Sequence, residues 1–132
     1  MATTVNFNLD QGQTFHWSFI WATAGATSTD PPVPYVVTGC TARMQVRAKY
    51  GTDVLVELTT ENAGITLGPA AGQVQLLLTD EQTDMLGSSE DSLKPRKIVK
   101  YDLEIVFPSG DVTRVIQGEI TFDPNITREV LV

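Results

Sequence analysis

The chain is poor in the side chains on which most metal and nucleophilic sites depend. Its 132 residues include one cysteine and one histidine. A single cysteine, Cys40, excludes an intrachain disulfide framework, and a structural zinc site needs several Cys or His ligands that are not there. Lys and Arg are also few, nine against 16 Asp and Glu, so the formal charge is -7. This acidic balance argues against nucleic-acid and membrane partners, because both need clustered Lys and Arg.

Signals for membrane insertion and export are missing as well. No apolar stretch approaches the length of a membrane-spanning helix, and residues 1–5 have neither the basic nor the apolar region of a secretory signal peptide. We therefore expect synthesis in a cytoplasm. The length is typical of one domain, and the composition does not change along the chain, so we predict a single domain over residues 1–132.

The pattern that dominates the sequence is alternation of apolar and polar residues. From Cys40 to Ala48 every second residue is small or apolar, and the same period runs from Val99 to Phe107. A period of two is typical of a strand with one face in the core and the other in water. Shorter segments with this pattern are residues 5–9, 14–21, 54–58 and 74–78.

Turn-forming residues separate these segments. Residues 108–111 (Pro-Ser-Gly-Asp) predict a hairpin, and residues 50–52 are expected to join the two strands around Met44 and Val56. Gly118 interrupts a strand whose alternation shifts at residues 115–116, which predicts a β-bulge there. Several short strands without any βαβ signal favour an all-β, antiparallel sandwich or barrel-like domain.

One short helical turn is predicted in residues 79–87. Thr79 and Gln82 have the spacing of a capping box, in which each side chain caps the other residue's backbone N–H. Met85 and Leu86 are expected to pack onto the core before Gly87 ends the helix.

Two long loops and the last residues are the candidate partner contacts. The loops are residues 22–34, which are small, polar and proline-rich, and residues 87–97, which are polar and mixed in charge. Loops of this length are often functional. Residues 123–132 leave the last strand through Pro124 and end apolar, so they could pair with a strand edge in the same subunit or a neighbour. The sequon at residues 125–127 is interpreted as incidental.

No set of residues nominates an active site, and we predict no catalytic, cofactor-binding or metal-binding residue. His16 lies on a strand between two aromatic residues and is interpreted as a sheet-face residue, while Cys40 is interpreted as a small buried hydrophobe. The acidic pairs at residues 80–81 and 90–91 lack the spacing of a calcium loop and are expected to face water. A pair of carboxylates for glycoside hydrolysis is not indicated.

The aromatic residues of one strand allow more than one interpretation. Phe15, Trp17, Phe19 and Trp21 share one face. Core packing is the favoured interpretation, because aromatic side chains dominate core burial. A sugar-binding platform and a subunit interface are the alternatives. If the face is a sugar-binding platform, the alternative function is a carbohydrate-binding module of a host-recognition apparatus.

The middle of the chain resembles a known family. Residues 38–47 (Thr-Gly-Cys-Thr-Ala-Arg-Met-Gln-Val-Arg) resemble the segment L-T-G-Y-T-A-R-M-Q-V-R of small bacteriophage virion proteins, and the likeness covers most of the chain from Gly12 onward. Departures are Val36-Val37, where Asp-Leu is common, and a longer loop at residues 22–34. The other matching segments are residues 55–62, 64–67, 72–74, 78–83, 101–104, 108–118 and 127–128.

The resemblance implies both a fold and a function. The chain is more distantly similar to the N-terminal domain of phage baseplate upper proteins, which is an immunoglobulin-like sandwich that anchors receptor-binding machinery. The similarity implies a non-enzymatic virion protein that docks by a sheet edge or by loops, either as a capsid decoration protein or as a tail or baseplate adaptor. Its expected partners are the major capsid protein or tail and baseplate proteins, together with copies of itself in a homo-oligomer or symmetric array.

Overall fold

A computed structural model describes residues 2–23, 32–49, 51, 53–87 and 97–123. Within these ranges the chain is mostly strand, with one helix. The strands are β1 (Thr3–Thr4), β2 (Phe7–Asp10), β3 (Phe15–Ile20), β4 (Ala22–Thr23), β5 (Val33–Pro34), β6 (Thr41–Arg47), β7 (Val54–Thr59), β8 (Ile65–Leu67), β9 (Gln73–Leu78), β10 (Lys97–Val106) and β11 (Val112–Asp123), and the helix is α1 (Asp80–Gly87).

Two sheets pack face to face around one core. The large sheet has the order β1-β11-β10-β6-β7, and β2 pairs with β11 beyond β1. Strands β1 and β2 run parallel to β11, whereas the other neighbours in this sheet are antiparallel. The small sheet is antiparallel with the order β3-β9-β8, and β4 and β5 form a separate two-stranded pair. The all-β, antiparallel sandwich with one short helix is therefore confirmed.

Alternation builds the core from both sheets. On β10 the residues Val99, Tyr101, Leu103 and Ile105 are buried, and on β9 every second residue from Val74 is buried, as the period-two pattern predicts. Each buried Val, Leu or Ile side chain contributes roughly 1.5–3 kcal/mol relative to an exposed one. The two apolar faces together therefore supply most of the driving force that holds the sheets together.

Two bulges adjust the strand registers. Leu103 pairs with Ile116 and Glu104 pairs with Arg114, so Val115 is the extra residue on β11, which confirms the bulge predicted there. Val115 and Ile116 are consequently both buried. A second register shift, between Val46 and Arg47, displaces the start of β7. The predicted alternation fails at the ends of these two strands. The register shift leaves Val54 partly exposed, and Ala48 lies beyond β6 and is exposed.

The turns behave largely as predicted. Between β10 and β11 the Gly110 N–H donates to the Phe107 carbonyl, and the Phe107 N–H donates to that of Asp111. Gly110 has a φ of 95°, a conformation that favours glycine. Residues 22–34 are not a loop throughout, because their ends pair as β4 and β5.

Helix α1 covers one end of the sandwich. Its capping box is present: the Thr79 N–H donates to Gln82 Oε1 at 2.9 Å, and the Gln82 N–H donates to Thr79 Oγ1 at 3.2 Å. Leu86 is buried on the core, as predicted, but Met85 is 50% exposed. The prediction for Met85 is wrong because neighbouring residues of a helix point about 100° apart, so a single turn brings only one of them onto the core.

Several predictions lie outside the described residues. They concern most of the loops at residues 22–34 and 87–97, two of the three residues of the predicted turn at residues 50–52, the acidic pair at residues 90–91, the sequon and the apolar chain end. Among the described residues, no helix is long and apolar enough to cross a membrane.

Candidate docking surfaces

His16 and Cys40 lie in different parts of the fold, on β3 and just before β6. His16 is exposed on the outer face of β3, at the rim of a neutral depression of about 330 Å³ that Ser18, Thr66 and Gln75 also line. Cys40 is partly buried, and its thiol lies 3.9 Å from the Val36 carbonyl. No three His, Cys, Asp or Glu side chains of the described residues converge as metal ligands. The structure thus brings together none of these side chains.

The aromatic row of β3 faces the core. Phe15, Trp17 and Phe19 are partly buried against it, and the ring of Phe7 meets those of Phe15 and Trp17 edge-on at centroid distances of 5.4 and 4.9 Å. Edge-to-face contacts of this kind are typical of packed aromatic clusters. The sugar-binding platform stays a prediction.

The outer face of the large sheet carries a lattice of opposite charges. Arg43 pairs with Glu104 at 2.9 Å, and similar pairs join neighbouring strands around a depression of about 330 Å³. These side chains are a quarter to a half exposed, so each pair contributes at most about 1 kcal/mol. We interpret this face as the hydrated side of the sheet. The other pairs are Lys100–Glu119 at 3.1 Å and Arg114–Asp102 at 3.3 Å.

The opposite end of the sandwich from α1 is mostly apolar in the described residues and has few charges. We call it the apolar end; it consists of residues 32–40, 68–72 and 107–112 together with Trp21. The Trp21 ring stacks on Tyr35 at a centroid distance of 4.0 Å and lies 5.8 Å from Phe107, which holds the segments together. The glycine at position 39 packs so closely that a Cβ would lie 3.2 Å from Pro108.

The apolar end exposes large hydrophobic side chains. Val36 is 76% exposed, Val33 is 61% exposed and Val112 is 50% exposed. Asp111 is the only charged residue in the segments of this end. Depletion of charge with aromatic and aliphatic enrichment is the composition of an interface core. The sequence indicates only the part of this surface that belongs to the predicted contact loop, residues 32–34, because the other segments lie far apart along the chain.

Strands β7 and β3 each leave one edge without a strand partner in the described part of the chain. Strand β7 pairs only with β6, and β3 pairs only with β9. The β7 edge is disturbed by the bulge at Leu55, which is itself partly exposed beside Val54. Bulges blunt an edge against further pairing. Strand β3 has a regular register throughout, so its edge stays competent to pair.

Neither a protein-family model nor a curated protein matches this chain. Three surfaces of the described residues bear on function: the charged outer face of the large sheet, the apolar end and the free edge of β3.

Proposed function

We propose that this chain is an accessory structural protein of a bacteriophage particle, attached to capsid, tail or baseplate proteins through its loops. The resemblance of residues 38–47 to small virion proteins is the origin of the proposal. Residues 38–40 lead into β6 and residues 41–47 form it, and this strand is paired on both sides in the large sheet. The resembling segment is therefore central to the fold.

The immunoglobulin-like subtype is part of the same proposal. In variable-type immunoglobulin sandwiches one sheet contains strands G, F, C and C′, and the other contains B, E and D. The order β11-β10-β6-β7 corresponds to the first sheet and β3-β9-β8 to the second. This correspondence supports the more distant similarity to the baseplate domain.

The apolar end is the observation that carries a docking role. Exposed contiguous apolar surface costs solubility, so a soluble protein rarely keeps it unless a partner covers it. A chain with a net charge of -7 can bring this end against a partner without forcing its acidic residues together. On a particle, symmetry repeats one modest contact many times and makes the attachment of an array strong.

Incorporation of variants into particles tests the proposal. Val36→Lys places a charge in the middle of the apolar end, and Met85→Lys places the same charge on α1, at the far end of the sandwich. Both side chains are at least half exposed, so neither change disturbs the core. Each variant is supplied in place of the wild-type chain during infection, and purified particles are then analysed by quantitative mass spectrometry.

We expect Met85→Lys particles to carry the wild-type amount of the chain and Val36→Lys particles to carry at most a tenth of it. Equal incorporation of the two variants would show that the contact with the particle does not involve the apolar end. Absence of the wild-type chain from purified particles would contradict the proposed function itself.

A further inference from the structure

The backbone of β3 presents a regular row of hydrogen-bonding groups to its free edge. The Trp21 N–H donates to the Gly72 carbonyl at 2.8 Å, in the same register that pairs Phe19 with Val74. Antiparallel pairs alternate between bonded and non-bonded, so the odd-numbered residues of β3 bond to β9. The N–H and C=O groups of the intervening residues, His16, Ser18 and Ile20, therefore point away from the sheet.

The other side of β9 confirms this alternation. The Gly68 N–H donates to the Gln73 carbonyl at 2.8 Å, and the Leu77 N–H donates to that of Gly64 at 2.9 Å. Odd-numbered residues of β9 thus bond towards β8, which leaves its even-numbered residues to bond towards β3. No backbone bond joins His16, Ser18 or Ile20 to the described residues.

Within the described part of the chain, this edge has none of the features that usually protect an edge strand against pairing. Its sequence, Phe-His-Trp-Ser-Phe-Ile, contains no lysine, no proline and no bulge. Natural proteins use such devices on edge strands that must stay unpaired. The alternative edges are less suitable: β7 is bulged, β2 has four residues, β8 has three and β1 has two.

We propose that a second copy of this chain pairs with β3, so that two small sheets join into one continuous antiparallel sheet across a twofold axis. The distribution of charge favours a second copy as the occupant. The three strands of the small sheet contain no Asp, Glu, Lys or Arg, so the charge of -7 lies elsewhere on each copy. Two acidic copies meet with least repulsion through this sheet.

The geometry also fixes the register. Twofold pairing that uses all the outward-pointing groups of β3 places Ser18 opposite Ser18 of the second copy. His16 then faces Ile20 of that copy across a bonded pair, and Trp17 lies opposite Phe19. The core-facing aromatic side chains of β3 remain on the inner face of the joined sheet. There the partly buried aromatic side chains of one copy pack beside those of the other.

Oligomeric state and two matched lysine variants test this interface. Ser18→Lys puts two positive charges on the twofold axis. Thr66→Lys is the control, since Ser18 and Thr66 pair with Gln75 from opposite sides and both are exposed. Sedimentation velocity of the full chain over a wide range of concentrations should show wild type and Thr66→Lys at twice the 14.4 kDa of the chain, with Ser18→Lys at least tenfold weaker in dimerisation.

Cysteine cross-linking tests the register independently of folding effects. In a Cys40→Ser background, Ser18→Cys should form an intermolecular disulfide, because bonded antiparallel pairs have Cα atoms about 5.5 Å apart. Thr66→Cys should not cross-link. A wild-type chain that stays monomeric at millimolar concentration overturns the proposal, and so does a dimer in which Ser18→Lys and Thr66→Lys behave alike. Cross-linking through position 66 would have the same consequence.

Discussion

The Tyr101 hydroxyl connects the middle of the large sheet to the start of the chain. It donates a hydrogen bond of 2.6 Å to the Val5 carbonyl, and the Tyr101 ring lies 5.7 Å from that of Phe7. The Val5 N–H in turn donates to the Gln117 carbonyl at 2.9 Å. One side chain thus helps to hold the first strands against β11.

Replacement of Tyr101 by phenylalanine should destabilise the fold by about 1–3 kcal/mol, because the Val5 carbonyl loses its side-chain donor in a partly buried place. Urea denaturation at neutral pH measures the change. Tyr35→Phe is the control, because the Tyr35 hydroxyl has no such bond among the described contacts. This replacement should therefore reduce the free energy of unfolding by less. Equal losses in the two variants would contradict this role for the Tyr101 hydroxyl.

The same hydroxyl should make the protein sensitive to alkaline pH. Burial raises the pKa of Tyr101 well above its usual value of about 10. The folded state therefore keeps the proton while the unfolded state loses it, so stability is full below pH of about 10 and declines as the pH rises further. Tyr101→Phe should lose less stability over that alkaline range than wild type, as urea denaturation at a series of pH values will show. Parallel curves for the two proteins would contradict the assignment.

Gly118 allows the first strands to approach β11 closely. A Cβ at this position would lie 2.2 Å from the Val5 carbonyl oxygen and 2.8 Å from Asn6 Oδ1. Gly118→Ala should therefore displace the backbone there and destabilise the protein by about 1–3 kcal/mol. Thr113→Ala, at an exposed position of the same strand, is the control. Thermal unfolding of both variants checks this, and an unchanged melting temperature for Gly118→Ala would be incompatible with the close approach.

At the scale of elements, alternation in the sequence predicts the strands but not their partners. The strands around Met44 and Leu103, the hairpin at residues 108–111 and the capping box all follow from local signals. The parallel pairing of β1 and β2 with β11 depends on contacts such as the Glu119 N–H to Asn6 Oδ1, across 113 positions. Local patterns carry no information about such distant contacts, so the order of strands could not be predicted.

The candidate surfaces were even less predictable than the strand order. Short strands such as β4 and β5, with two residues each, are too short to show a period. The apolar end exists only because turns from different parts of the chain meet around Trp21. The free edge of β3 follows from the order of strands in the small sheet, which local patterns do not predict.

Helix α1 gives the sharpest test of an element, because two adjacent side chains have opposite surroundings. Leu86 is 1% exposed and Met85 is 50% exposed. Leu86→Ala should cost about 2–5 kcal/mol through the cavity that it leaves, whereas Met85→Ala should change stability by less than about 0.5 kcal/mol. Chemical denaturation of both variants measures the difference. Similar losses would mean that the helix does not pack as described.

At the scale of the whole molecule, charge and apolar surface are segregated. The outer face of the large sheet holds paired charges, the strands of the small sheet hold none, and the segments of the apolar end expose valines with Asp111 as their only charged residue. In a protein with this distribution, the hydrated charged face favours solubility while the uncharged surfaces are left to bind partners. The proposed dimer uses the edge of the small sheet, so the apolar ends of its two antiparallel copies stay uncovered and point in opposite directions along the strands.

The number of copies per particle tests the central proposal most directly. Quantitative mass spectrometry of purified phage particles, with the major capsid protein as internal standard, gives the ratio of this chain to capsid subunits. We expect a fixed stoichiometric ratio that survives repeated purification: hundreds of copies for a capsid decoration protein, or about a dozen for a tail or baseplate adaptor, as symmetric attachment requires. A ratio that falls towards zero as the particles become purer would contradict the account.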